Sequence, residues 1–277
     1  MAKAAERYVE RVRQIIDAHA HLQFPGESSW VGSPHGHSDY IDATADLPLS
    51  RFAVLVMAPQ GDLAETRRLN DTALAVAERD ERAFALCSVH PGDGDQALAE
   101  IDRVAGSGAS GLKLHPSTQR FDVASDELLA VTKRAGERGL PILFDTVATA
   151  DPGQPEKFIN LSMTCPETDL VLAHTFGPKF VQAVLFAVLA RYPNVRRNVY
   201  LELSATVCMF ADSPFTDQLR WLCRQHGTDR VLWGSDYPVF SPAESLQALS
   251  TFGFSDDELD QITCRTAEAV YRLGDAD

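Results

Sequence analysis

Eight short apolar runs recur along the chain, each closed by a polar, Gly or Pro residue. They cover 15–22, 52–58, 83–89, 111–116, 141–146, 170–175, 199–204 and 231–238. Near-continuous apolar strands are what a parallel sheet buried on both faces requires. Between them lie stretches with helical spacing, over 62–79, 96–104, 126–138, 180–191 and 215–226. A last helix is expected over 255–273. It opens on the capping-box sequence Ser255-Asp256-Asp257-Glu258 and stops at Gly274. Eight strand–helix alternations over 277 residues predict an α/β fold, a (β/α)₈ TIM barrel, as one domain across 1–277. An open doubly wound sheet is the alternative, but no glycine-rich phosphate loop follows any strand.

In a parallel barrel every strand opens its C-terminal end at the same face, where barrel active sites lie. The strand ends carry His19 and His21 (in Asp17-Ala18-His19-Ala20-His21), His90, His115, Asp145, His174, Glu202 with Ser204, and Asp236. Any one histidine reads as a hydrogen-bonded structural residue, and that plain reading stands for His90 or His115. Taken together, clustered imidazoles and carboxylates point to a divalent metal, zinc first, with manganese or iron also suited. His19, His21, Asp145 and Asp236 are the candidate ligands. Asp236 and His174 are the candidate catalytic acid–base groups. Lys113, two residues before His115, reads as a cation near the substrate or an ion-pair partner inside the mouth. Glu202 reads as a partner for Lys113 or a histidine. Arg120 reads as a carboxylate binder or, more plainly, as a solvated surface residue.

The longest strand-to-helix connection, 23–51, is expected to form a lid over the mouth, and its Trp30 joins His90, His115 and Lys113 as substrate-contact candidates. It also holds a second His-x-His, His35 and His37, set among Gly, Ser and Pro with no strand to aim it. That pair reads as lid or surface.

Charge narrows the partners. The formal net charge is −14, which argues against nucleic acid and anionic membranes and leaves a small-molecule substrate; a homodimer is compatible with it. No run of eighteen apolar residues is present. Residues 1–14 are charged, lack the apolar core of a secretory signal, and are expected to form a helix or arm. The five cysteines are scattered with no Cys-x-x-Cys pair, which fits small buried hydrophobes in a cytoplasmic protein.

Asp17-Ala18-His19-Ala20-His21, Gly111-Leu112-Lys113-Leu114-His115-Pro116, Leu172-Ala173-His174 and Trp233-Gly234-Ser235-Asp236-Tyr237-Pro238 together resemble the amidohydrolase superfamily. The resemblance is to the amidohydrolase-2 branch, which includes decarboxylases related to aminocarboxymuconate semialdehyde decarboxylase, and it spans nearly the whole chain. It implies a metal-dependent hydrolase of an amide or lactone, or a non-oxidative decarboxylase of a small carboxylate or carbonyl compound. It implies His19 and His21 as ligands, His174 as the strand-six histidine and Asp236 as the strand-eight aspartate. One position departs. Asp145 stands where that family ends strand five in a ligand histidine. Asp145 then ligates the metal itself, or serves a metal-free lactonase-type site with no cofactor, or marks a catalytically inactive ligand-binding barrel.

Overall fold

The structure, a computed structural model, describes residues 13–24, 31–147, 151 and 153–274. Eight parallel strands form one sheet in sequence order: β1 Ile15–Asp17, β2 Leu49–Leu55, β3 Ala83–Cys87, β4 Gly111–Leu114, β5 Ile142–Asp145, β6 Leu170–Ala173, β7 Val199–Glu202 and β8 Val231–Leu232. Helices cross between them, giving the expected TIM-barrel-like α/β fold. No helix of the described residues is long and apolar enough to cross a membrane.

The sheet is buried on both faces, and alternate residues of each strand feed two separate cores. Ile15, Val54, Ala85, Leu112, Phe144, Leu172 and Leu201 pack outward against the helices. Ile16, Ala53, Phe84, Leu143, Val171, Tyr200 and Leu232 fill the interior. The last helical segment completes that inner core with Cys264, Ala267, Val270 and Tyr271.

The helices begin where their caps place them. Asp62, Ser125 and Ser255 each accept a backbone N–H from the third residue on, and Ser241–Glu244 and Ser255–Glu258 form reciprocal capping boxes. The predicted continuous helix over 255–273 is instead Asp256–Asp260, a π turn Gln261–Arg265, and Thr266–Tyr271. Within that turn the Ile262 carbonyl accepts from Trp233 N–H, so the irregularity meets the end of β8.

Strand eight is far shorter than its apolar run. Beyond Leu232 the chain passes through a left-handed Asp236 and meets the segment that follows β1 through three backbone bonds: Ala18 N–H to the Trp233 carbonyl (3.3 Å), Asp236 N–H to the His19 carbonyl (2.9 Å) and His21 N–H to the Tyr237 carbonyl (2.7 Å). Asp17 locks this seam. Fully buried, it accepts Ser235 N–H (2.8 Å), Ser235 Oγ–H (2.6 Å) and Tyr40 Oη–H (2.9 Å). Tyr40 comes from the helix His37–Ala43 in the long 23–51 connection, and its ring packs edge-on against Tyr237. Trp30 and the five residues before it fall outside the described residues.

Replacing Asp17 by Ala strands the Tyr40 hydroxyl and both Ser235 donors in a dry seam. The expected cost is about 3 kcal/mol, a fall in Tm of roughly 6–12 °C for a chain of this size. Thermal unfolding measures it, and an unchanged Tm would remove Asp17 as the lock.

Candidate metal centre at the strand ends

Lys113 of β4, Asp145 of β5 and Glu202 of β7 share the inward parity of Leu143 and Tyr200. β1 ends at Asp17, and a bend at Ala18 carries His19 into the barrel, fully buried. Glu202 Oε2 lies 3.1 Å from His19 Nδ1. A carboxylate there takes the Nδ1 proton and leaves the Nε2 lone pair facing the centre. His19 Nε2 lies 3.1 Å from His21 Nε2, 3.2 Å from Lys113 Nζ and 3.6 Å from Asp236 Oδ1. His21 Nε2 is 3.7 Å from the same Asp236 oxygen.

Among the described residues two groups have the spacing for a cation: His19, His21 and Asp236, and His19, His174 and Glu202, with ligand atoms within 4.8 Å of one another in each. The second space is taken. Ser204 Oγ sits among its members, 2.6 Å from Glu202 Oε2 and 3.1 Å from both His19 Nδ1 and His174 Nδ1. The first group is therefore the candidate centre. Two imidazoles and one carboxylate, with Glu202 behind His19, fit zinc, manganese or iron and leave positions for a substrate. Lys113 competes there, because its N–H and an ion would use the same His19 lone pair.

Asp145, expected among the ligands, belongs to neither group. Its Oδ2 lies 3.0 Å from His174 Nε2 and 3.5 Å from His115 Nε2, and its Oδ1 accepts from Val147 N–H. His174 is thus bound on both sides, with Nδ1 3.0 Å from the Ser204 carbonyl. Its backbone is in the left-handed region at φ 62°, and Thr175 and Phe176 continue there. Side chains hold this costly run in place: Thr175 Oγ1 donates to the Glu202 carbonyl, Thr206 Oγ1 to the His174 carbonyl, and Phe176 N–H to Thr146 Oγ1. Asp236 is left-handed too, at φ 63°. Gly234 sits where a Cβ would come within 2.7 Å of both Glu202 Oε1 and His19 Cβ, so the close approach of these groups depends on glycine.

Burial and charge set the protonation states. Burial works against a charged His174. The Asp145 hydrogen bond and the negative charges of Asp236, Asp145 and Glu202 outweigh it, raising its pKa to about 9. Burial likewise opposes ionised Asp145, but the His174 hydrogen bond and the charges of His174, Lys113 and His115 hold its carboxyl well below the usual carboxylate range. The two form an imidazolium–carboxylate pair. Asp236 moves the other way: burial pushes it to about 6 against the pull of His174 and Lys113. His19 and His21 are driven toward neutral imidazole, the ligating form, by burial first, then for His19 by the Lys113 charge and for His21 by His19 and Lys113.

The remaining candidates separate. His115 stands at the edge of the cluster, its Nδ1 accepting from Thr118 N–H. His90 does not join it. One ring nitrogen is 2.7 Å from the Gln119 carbonyl and the other accepts from Gly92 N–H, so neither is left for a substrate. His35 bonds the Ser33 carbonyl and His37 pairs with Asp80, so the second His-x-His takes no part. Arg120 is exposed. Ser204, Gly234 and the Asp17–Tyr40–Ser235 lock were not singled out as functional residues, and only Ser204's place beside Glu202 hinted at one.

A family model for amidohydrolases matches residues 16–273. The chain belongs to the amidohydrolase family. That membership makes it an enzyme, with the reaction left open. No curated protein matches it. Among solved structures it is similar to 5-carboxyvanillate decarboxylase LigW from Sphingomonas paucimobilis, at 14% identity, 94% of this chain, 99% of that one and a TM-score of 0.67. It is similar to 2,6-dihydroxybenzoate decarboxylase from Rhizobium, at 12% identity, 95% and 100% coverage and a TM-score of 0.74. A third, 5-carboxyvanillate decarboxylase from Novosphingobium aromaticivorans complexed with manganese and a nitrobenzoic acid, has 15% identity, 95% and 97% coverage and a TM-score of 0.73. At these identities the likeness establishes the shared fold.

His174 holds its proton more tightly folded than unfolded. Its share of stability is whole below pH 6.5, its ordinary value, and is lost as pH rises through about 9. Thermal melts across that window should show Tm falling for the native chain and a flatter profile for Asp145→Asn, where His174 lacks its counter-charge. Parallel profiles would break the assignment of the pair.

Proposed function

We propose that the chain is a metal-dependent decarboxylase of a small carboxylate substrate. The observation that supports this reading is the convergence of His19 Nε2, His21 Nε2 and Asp236 Oδ1 beside two basic groups, Lys113 and His174. His19, His21 and Asp236 would hold the ion, zinc or manganese, with Asp145 outside the set. When bound, such an ion acts as a Lewis acid and a template for the carboxylate or a neighbouring oxygen.

The chain's own groups divide the remaining work. Lys113 is fully buried. Burial lowers its pKa, and Asp145, Asp236 and Glu202 counter that, so it offers a basic nitrogen to the substrate anion. His174, engaged at both nitrogens, acts as a fixed positive charge rather than a mobile acid. Asp236, raised to about 6 by burial while no ion is bound, is the group this reading assigns to proton exchange with the substrate. The bond from the substrate carbon to its carboxylate breaks, carbon dioxide leaves, the electron pair stays on carbon, and protonated Asp236 supplies the proton. Hydrolysis of an amide or lactone is the second reading, favoured by the same Asp236 acting in its ionised form as a base.

Asp236→Asn should keep the fold by circular dichroism and lower carbon dioxide release about 10²–10⁴-fold across a panel of aromatic and aliphatic carboxylates. Full turnover in that variant refutes the role. Cleavage of a lactone or amide without carbon dioxide release moves the reaction to hydrolysis. Activity that survives complete removal of metal by chelation supports the metal-independent lactonase reading, and tight binding without turnover supports the ligand-binding one.

A further inference from the structure

Ten large apolar side chains stand exposed among the described residues, and six of them gather on two neighbouring helical segments. Val181 in a 3₁₀ segment, Leu185 and Val188 in the helix Val184–Leu189, and Tyr192 in the bend just after it are all exposed to solvent along one stretch of the chain. Phe215 and Trp221 lie on the adjoining helix Thr216–His226 and its start, and Trp221 shares a groove with Val181 and Val184. A clustered exposed apolar patch marks an interaction surface, where scattered exposed residues do not.

Charge identifies the occupant. The chain carries −14 overall, yet residues 170–201 contain no Asp or Glu. The arginines around the patch are compensated locally: Arg196 by Glu167, Arg220 by Asp217 and Arg224 by Glu258. Two copies of an acidic chain repel at most faces, and least at this one. The helix Thr216–His226 is also self-complementary. Asp217, Trp221 and Gln225 fall on one face at i, i+4 and i+8. Asp217 marks one end, and at the other Gln225 Oε1 accepts from Arg191 Nη2 at 2.7 Å.

We propose that this face joins two copies of the chain, with the helix Thr216–His226 packed antiparallel against its own copy about a two-fold axis near Trp221. A two-fold axis uses the same patch twice, as most dimers do. The antiparallel arrangement sets Asp217 of one copy against the partner's Arg191 and centres both tryptophans, the residue type most often found at interface hot spots.

Sedimentation velocity over a concentration series tests this on the full chain. The native protein should dimerise. Trp221→Glu and Leu185→Glu should each raise the dimer Kd roughly thirty-fold or more with unchanged circular dichroism. Asp217→Arg should weaken the dimer and Asp217→Arg with Arg191→Asp should restore it. Trp221→Cys should form an intermolecular disulfide on oxidation, which keeps the test decisive if a glutamate variant fails to fold. A monomeric native chain, a dimer indifferent to Trp221→Glu, or a double swap that restores nothing overturns the proposal.

Discussion

Everything at the candidate centre depends on the seam between strand one and the extension of strand eight. Two of its backbone bonds involve the residues concerned: Asp236 N–H reaches the His19 carbonyl, and His21 N–H reaches the Tyr237 carbonyl. The bonds that close the ring therefore also set the distance between two imidazoles and a carboxylate. Asp17 holds the seam from behind and Gly234 keeps it thin enough for Glu202 to reach His19. The centre is thus a property of barrel closure rather than of a mobile loop, and rigid elements position ligands more exactly than loops do.

Electrostatics then sorts groups that lie close together. Burial favours the neutral form of every one of them. Between His174 and Asp145 the hydrogen bond and the surrounding charges outweigh burial, and the two remain ionised together. At His19 burial wins even with Glu202 at hydrogen-bond distance, because the Lys113 and His174 charges add to it; His21 also leans to the neutral form, and burial raises Asp236 to about 6. On the proposed function, neighbouring groups would thereby take three roles: ligating bases, a fixed ion pair and a proton exchanger.

The sheet was legible because strands buried on both faces have to be apolar throughout, and all eight runs became strands. The mouth was legible because polar residues at the ends of such runs have nowhere else to point. Partner choice was not. His90 and His174 both end apolar runs, yet one is used up by the nearby Gly92 and by Gln119 and the other sits on Asp145, and the Gln119 and Asp145 partners each lie 29 residues away in sequence. Strand eight looked long because its extension is as apolar as a strand, although its hydrogen bonds go to β1 and to the π turn. No local pattern announces the left-handed run at 174–176, since Thr and Phe are poor residues for it and only tertiary hydrogen bonds hold them there.

Asp145 is the position where this chain departs from the sequence pattern it otherwise follows, and the ion pair gives the departure a physical form. An anion placed at a strand end beside two further carboxylates, Asp236 and Glu202, would be unstable without a cation against it. His174 is that cation, with Lys113 and His115 reinforcing it. The substitution exchanges a neutral donor for a fixed dipole. Charge balance inside the mouth is kept, and on the proposed reading coordination would fall to His19, His21 and Asp236.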